Sequence, residues 1–212
     1  MKAILFDFDG VIADSEPIYA EVENELFSRM VPDWQRKFSE EIIGLDPHST
    51  FLLLKNKYGL KISEAEFRAE YDKGYPMVYG VAGLTKKALE MLNFGAEHGA
   101  RMSIVSSTPK EYIASFLRKK DIAHFIEEIF SSADLKIPSK PAPDPYNFAV
   151  NKLNLDKNST IVVEDSFAGT SAAHAAGLFT VGYNIVNPAC PCNLRLTDDD
   201  IVATVFAQIP QS

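Results

Sequence analysis

Five short apolar runs punctuate the chain, and helix-friendly stretches separate them. They are "KAILFDF" (2–8), "RMSIVS" (101–106), "EIFSS" (128–132), "TIVVED" (160–165) and "FTVGYN" (179–184). Rich in Ile, Val and Phe and mostly lacking strict alternation, these runs suit strands of a parallel sheet covered on both faces. Strands that alternate with helices along a chain predict an α/β fold, here a doubly wound parallel sheet.

The interval between the first and second runs breaks the rhythm. Residues 9–100 exceed what one crossover helix requires, so an inserted domain is predicted there. Its segments "PIYAEVENELFSRM" and "SEAEFRAEYDKGY" favour helix, and "GLDPHS" and "YGLKIS" separate them. Pro17 suits a first helical turn with Asp14 or Ser15 as its cap, and the spacing of Ser63 and Glu66 matches a capping box. The chain therefore reads as an α/β core of residues 1–14 and 82–212 carrying an all-helical insert of residues 15–81. Two short connections, at 13–16 and 79–83, are expected to form a hinge, with Gly80 and Gly83 bracketing a turn in the second.

Composition narrows the function classes. With 212 residues, 46% hydrophobic and 24% charged, the chain has the make-up of an ordinary globular protein. Its net charge of −8 argues against a nucleic-acid-binding surface, which needs clustered Lys and Arg. No apolar run approaches the roughly 18 residues a membrane span needs. The chain enters a strand pattern at once, which leaves no room for a leader, and a cytoplasmic location is expected. Cys190 and Cys192, one residue apart, are too close for ordinary disulfide geometry and too few for a structural zinc site.

Candidate chemistry gathers where an open parallel sheet binds ligands, beyond the carboxyl ends of its strands. The first run ends in Asp7 and Asp9 with Gly10, the second in Ser106, Ser107 and Thr108, and the fourth in Glu164 and Asp165. A connecting segment, "SKPAPDPYNF", adds Lys140. Carboxylates held close together repel unless a cation lies between them, and few hard oxygen ligands with room for water suit Mg²⁺. Taken with a Lys and a hydroxyl cluster after separate strands, the set describes a site for a phosphoryl group. Each residue also has a plain structural use. Ser106 to Pro109 can start a helix, Asp144 and Ser166 can cap one, and a Lys in a Pro-rich loop is often only solvated.

In its motifs the chain resembles the haloacid dehalogenase-like hydrolases. The residues that carry the likeness are "DFDGVIADSEP" (7–17), "IVSSTP" (104–109), "KPAPDPYNFA" (140–149) and "VVEDSFAGTSAAHAAGL" (162–178), and their order and spacing match too. The resemblance implies a Rossmann-like core with a helical cap inserted after the first strand, in the subgroup that includes sugar-phosphate phosphatases and beta-phosphoglucomutase. It implies Asp7 as a nucleophile that forms an aspartyl-phosphate, and Asp9 as general acid and then base, its backbone carbonyl facing Mg²⁺. Ser106 would donate to a phosphate oxygen, with Gly10, Ser107 and Thr108 nearby, and Lys140 would offset charge on the phosphate and on Asp7. Asp165 would ligate Mg²⁺ directly, and Glu164 directly or through water. Glu16 at the first hinge and His48 in "IIGLDPHST" are the insert's candidate substrate contacts.

The function so implied is Mg²⁺-dependent hydrolysis of small phosphorylated metabolites, sugar or polyol phosphates first, by a cytoplasmic monomer with no nucleic-acid or membrane partner. Having Asp9 favours phosphoryl transfer over carbon–halogen cleavage, because the haloalkanoate dehalogenases generally lack a second Asp. The alternatives are a phosphosugar mutase and a non-catalytic metabolite-binding protein. Tyr19 stands near the place of the mutase's characteristic His, and "GLDPHST" holds no Arg for a second phosphate. A binding protein would be expected to have a broken motif, and all the main positions are present.

Overall fold

Strand β1 (Ala3–Phe6) lies inside a six-stranded sheet, and all four of its residues are buried. The computed structural model describes residues 2–42, 45, 47–185 and 187–209. Its chain divides into two compact units, residues 1–14 with 83–212 and residues 15–82.

In the first unit the sheet is parallel throughout. It combines β1, β4 (Arg101–Ser106), β5 (Glu128–Ser131), β6 (Thr160–Glu164), β7 (Phe179–Tyr183) and β8 (Leu194–Leu196) in the order β5-β4-β1-β6-β7-β8. The apolar runs lack alternation because both faces are covered. On one face Leu5, Val105 and Val162 pack with Tyr146, Ala149 and Val150 of α8 (Asp144–Leu153) and with Ala172 and Ala173 of α9 (Phe167–Ala175). On the other, Ile4 and Met102 crowd Gly95 of α5 (Ala88–Glu97), where a Cβ would lie 2.4 Å from the Met102 sulfur. Phe8 meets Phe116 of α6 (Lys110–Lys119) edge to face. The shorter helices α7 (Ser132–Leu135) and α10 (Val202–Phe206) complete the unit.

The five predicted strands are present, and the sheet has a sixth, β8, that the apolar pattern does not announce. Its sequence, Leu-Arg-Leu, is short, and Arg195 is exposed on this edge strand. Both cysteines are free thiols, in the loop before it.

The second unit is helical. It holds α1 (Glu16–Met30), α2 (Pro47–Tyr58), α3 (Glu64–Asp72), α4 (Gly74–Val81) and a 3₁₀ turn at Arg36–Glu41. Ser15 takes the N-cap position of α1, and the capping box before α3 forms with both of its hydrogen bonds, Glu66 N–H to Ser63 Oγ and Ser63 N–H to the Glu66 carboxylate. Phe27, Phe51 and Phe67 are buried in its core, and the half-buried Trp34, Phe38 and Tyr58 extend the aromatic cluster outward. Gly44 and Asp46, in the segment read from sequence as a loop, lie outside the described residues.

Gly80 does not bracket a turn. It lies within α4, which runs on to Val81 because the Ala82 N–H still reaches the Val78 carbonyl. The chain then enters β3 (Gly83–Leu84), which pairs antiparallel with β2 (Ala13–Asp14). The exit from the core unit and the return to it therefore run side by side. Among the described residues no helix is long and apolar enough to cross a membrane.

Candidate active site

Register brings the acidic residues together. Phe6 of β1 pairs with Ile104 of β4 and Val163 of β6, so Asp7, Val105 and Glu164 stand at one level on three adjacent strands. Neighbouring strands lie about 4.8 Å apart, close enough for one side chain to bridge them. Lys140 does so: its Nζ donates to Asp7 Oδ1 at 2.8 Å, to the Val105 carbonyl at 2.9 Å and to Glu164 Oε1 at 2.5 Å. The Lys140 side chain is 8% exposed and Glu164 is completely buried.

Beyond Asp7 the backbone folds onto itself. The Ile12 and Ala13 N–H groups donate to the Phe8 carbonyl, and Gly10 N–H donates to the Ala13 carbonyl. Gly10 sits at φ +74°, and a Cβ there would fall 1.8 Å from Asp165 Oδ2. Only glycine satisfies both the left-handed backbone and this approach. Gly169, in the first turn of α9, is as tightly placed, with a Cβ falling 1.9 Å from the Glu164 carboxylate. Ser166 caps α9 through the Gly169 N–H, as its sequence position predicts. Asp144 does not cap α8. The N-cap position belongs to Pro143, and Asp144 is the first helical residue.

At the end of β4, Ser106 Oγ accepts from the Thr108 N–H at 3.0 Å, leaving the Ser106 proton to be donated elsewhere. Thr108 Oγ1 donates to Asp9 Oδ2 at 2.7 Å, which turns the Asp9 carboxylate toward β4. Ser107 lies in a looser hydroxyl set with Ser132, whose Oγ is 3.1 Å from that of Ser139. Glu16 and His48 belong to the helical unit and are exposed, and His48 Nδ1 is 2.5 Å from Glu64 Oε1. Tyr146 is a site residue that the sequence reading missed, its hydroxyl donating to Glu164 Oε1 at 2.7 Å. Its signal lay inside the quoted "KPAPDPYNF", on the buried face of the helix that follows Lys140.

The electrostatics show a site short of positive charge. Asp7, Glu164 and Asp165 each offer an oxygen within 4.8 Å of the others, and Lys140 bonds to two of the three. Burial, then the Glu164 charge, push Asp7 up to about 7, although Lys140 pulls the other way. Burial alone would lower Lys140, but the charges and hydrogen bonds of Asp7 and Glu164 outweigh it and hold the ammonium protonated. Clustered hard oxygens with uncompensated charge fit Mg²⁺, so the chemistry of the donor set agrees with the metal the sequence implies. The Asp9 carboxylate is not one of the three. A cavity of about 370 Å³ lined by Lys157, Asn158, His174 and Asn193 lies at the opposite end of β6 and β7, away from these carboxylates.

Comparison with known proteins gives the family and the fold. A family model described as haloacid dehalogenase-like hydrolase matches residues 4–183. The chain is 26% identical over 194 residues to a phosphorylated carbohydrates phosphatase of Thermotoga maritima, covering 88% of this chain and 86% of that protein. It is 27% identical over 194 residues to a validoxylamine A 7'-phosphate phosphatase of Streptomyces hygroscopicus subsp. limoneus, covering 89% and 88%. Among solved structures, CbbY from Rhodobacter sphaeroides in complex with phosphate superposes with a TM-score of 0.79 at 20% identity, over 92% of this chain and 93% of that one.

Proposed function

Since this chain belongs to the haloacid dehalogenase-like hydrolases, we propose that it is a Mg²⁺-dependent phosphatase of small phosphorylated metabolites, sugar or polyol phosphates first. The observation that carries the reading is Asp7 at the end of a central strand, bonded to Lys140 and within ligand distance of Glu164 and Asp165. The names of the two relatives, a phosphorylated carbohydrates phosphatase and a validoxylamine A 7'-phosphate phosphatase, support hydrolysis of small phosphorylated compounds, carbohydrate phosphates among them.

Asp7 attacks phosphorus and forms an aspartyl-phosphate, splitting one difficult displacement into two easier ones. The Asp9 carboxyl, held by Thr108, protonates the departing alkoxide so that the alcohol leaves neutral. In the second step the Asp9 carboxylate takes a proton from water, the resulting hydroxide attacks phosphorus, and inorganic phosphate leaves as Asp7 is regenerated. The Ser106 hydroxyl donates to a phosphoryl oxygen and the Lys140 charge offsets that of the phosphate and of Asp7, with Gly10, Ser107 and Thr108 lining the same end of the sheet. Asp7, Asp165, the Asp9 carbonyl and Glu164, directly or through water, would hold Mg²⁺, which supplies positive charge against the phosphoryl oxygens. We assign the helical unit the role of a substrate-selecting cap, with Glu16 and His48 as candidate contacts, in a monomeric cytoplasmic enzyme that acts on neither nucleic acid nor membrane.

Phosphate release from a panel of sugar, polyol and nucleotide phosphates tests the reading. Release is expected with Mg²⁺, to vanish with EDTA, and to fall at least 10³-fold in Asp7→Asn, since losing a nucleophile leaves only binding and electrostatics. No release from any compound would overturn simple hydrolysis, and phosphosugar isomerisation would be assayed next.

A further inference from the structure

Tyr146 has no part in the mechanism above, yet it is completely buried against two of the groups that do. Its hydroxyl donates to Glu164 Oε1 at 2.7 Å, and its ring lies 5.1 Å from Lys140 Nζ. The Lys140 ammonium spends its three protons on Asp7, the Val105 carbonyl and Glu164. On the far side, Glu164 Oε2 accepts from Asp165 N–H at 3.2 Å, Ser166 N–H at 3.4 Å and Ser166 Oγ at 3.2 Å.

We propose that Tyr146 is a positioning residue: by holding Glu164 and underlying Lys140, it fixes the lysine ammonium on the carboxylate of Asp7. The physical case rests on what remains without the hydroxyl. Glu164 Oε1, on a completely buried side chain, would keep Lys140 as its one donor, and a buried carboxylate oxygen left short of donors draws the remaining donor closer. Lys140 would then shift from Asp7 toward Glu164, and the positive charge would leave the place where the phosphoryl group must sit. The ring adds a second constraint, since an ammonium over an aromatic face is attracted to it where water is absent.

Part of this rests on the phosphatase reading, so the experiment carries one arm that needs no substrate. Tyr146→Phe keeps the ring and deletes the hydroxyl. It is expected to lower kcat about tenfold with KM changed less than twofold, the loss of one hydrogen bond to a charged group. In ¹⁵N-lysine-labelled protein the Nζ resonance of Lys140, identified by its absence in Lys140→Met, is expected to shift and to exchange faster with water in Tyr146→Phe. Val150→Ala, on the buried face of the same helix, controls for lost packing and is expected to lower Tm while leaving kcat and that resonance unchanged. A Tyr146→Phe enzyme with wild-type kcat and an unmoved Lys140 resonance would overturn the proposal and leave Tyr146 a packing residue. If the wild type itself released no phosphate, the phosphatase reading would fail, and the resonance alone would still decide whether Tyr146 holds Lys140.

Discussion

Gly10 shows how much of this site is decided by a missing side chain. Its φ of +74° costs an L-residue about 1 kcal/mol, and its absent Cβ leaves the space that Asp165 Oδ2 occupies. Gly10→Ala is therefore expected to displace Asp165 as well as strain the turn, weakening Mg²⁺ binding by at least tenfold in calorimetric titration. An alanine variant that bound Mg²⁺ as the wild type does would show that Asp165 is not held where the structure has it. The sequence placed the glycine beside the acids that end the first strand but not its reason, which depends on a contact 155 residues away. Tyr146 stayed hidden for a similar cause. On the sequence it is one aromatic on an amphipathic helix, and only its register against β6 gives the hydroxyl an acceptor.

Among the elements, α1 and α3 share a part-buried ionisable contact. Tyr71 donates to Glu23 Oε1 at 2.5 Å, and burial pushes the Glu23 carboxyl up to about 7 even though this hydrogen bond favours the anion. A carboxyl with a raised folded-state pKa stabilises the folded form at pH values below its unfolded value of 4.5 and loses that contribution as pH climbs through 7. Glu23→Gln, which can still accept from Tyr71, is expected to gain on the wild type across that window, by on the order of 1–3 kcal/mol at pH 8 and little at pH 4.5. Thermal unfolding of both proteins from pH 4.5 to 8 reads the difference, and parallel pH profiles would refute it. The elements themselves were legible where local chemistry decides them. The capping box at Ser63 and Glu66 and the five apolar strands needed no tertiary information. Gly80 and β8 did: the helix runs through Gly80 because its backbone bonding continues, and Leu194–Leu196 is a strand because β7 offers it an edge.

At the scale of the whole molecule, the acidic cluster of Asp7, Glu164 and Asp165 that could hold a metal lies in the unit of residues 1–14 and 83–212, and among the described residues no such cluster lies in residues 15–82. A ligand that binds only the folded state stabilises it by mass action, about 2.7 kcal/mol at a hundredfold excess over Kd. Mg²⁺ should therefore act first on the core unit, and within it on the strand ends it joins. Hydrogen exchange with and without Mg²⁺ is expected to slow at the amides following β1 and at the end of β6, with the helices of residues 15–82 unchanged in the absence of substrate. Asp165→Asn should abolish that protection, because removing one charged oxygen from so small a ligand set removes much of the attraction for a hard cation. Protection spread equally over both units would show instead that the ion couples them, and the cap role proposed for the helical unit would have to be rebuilt around metal binding.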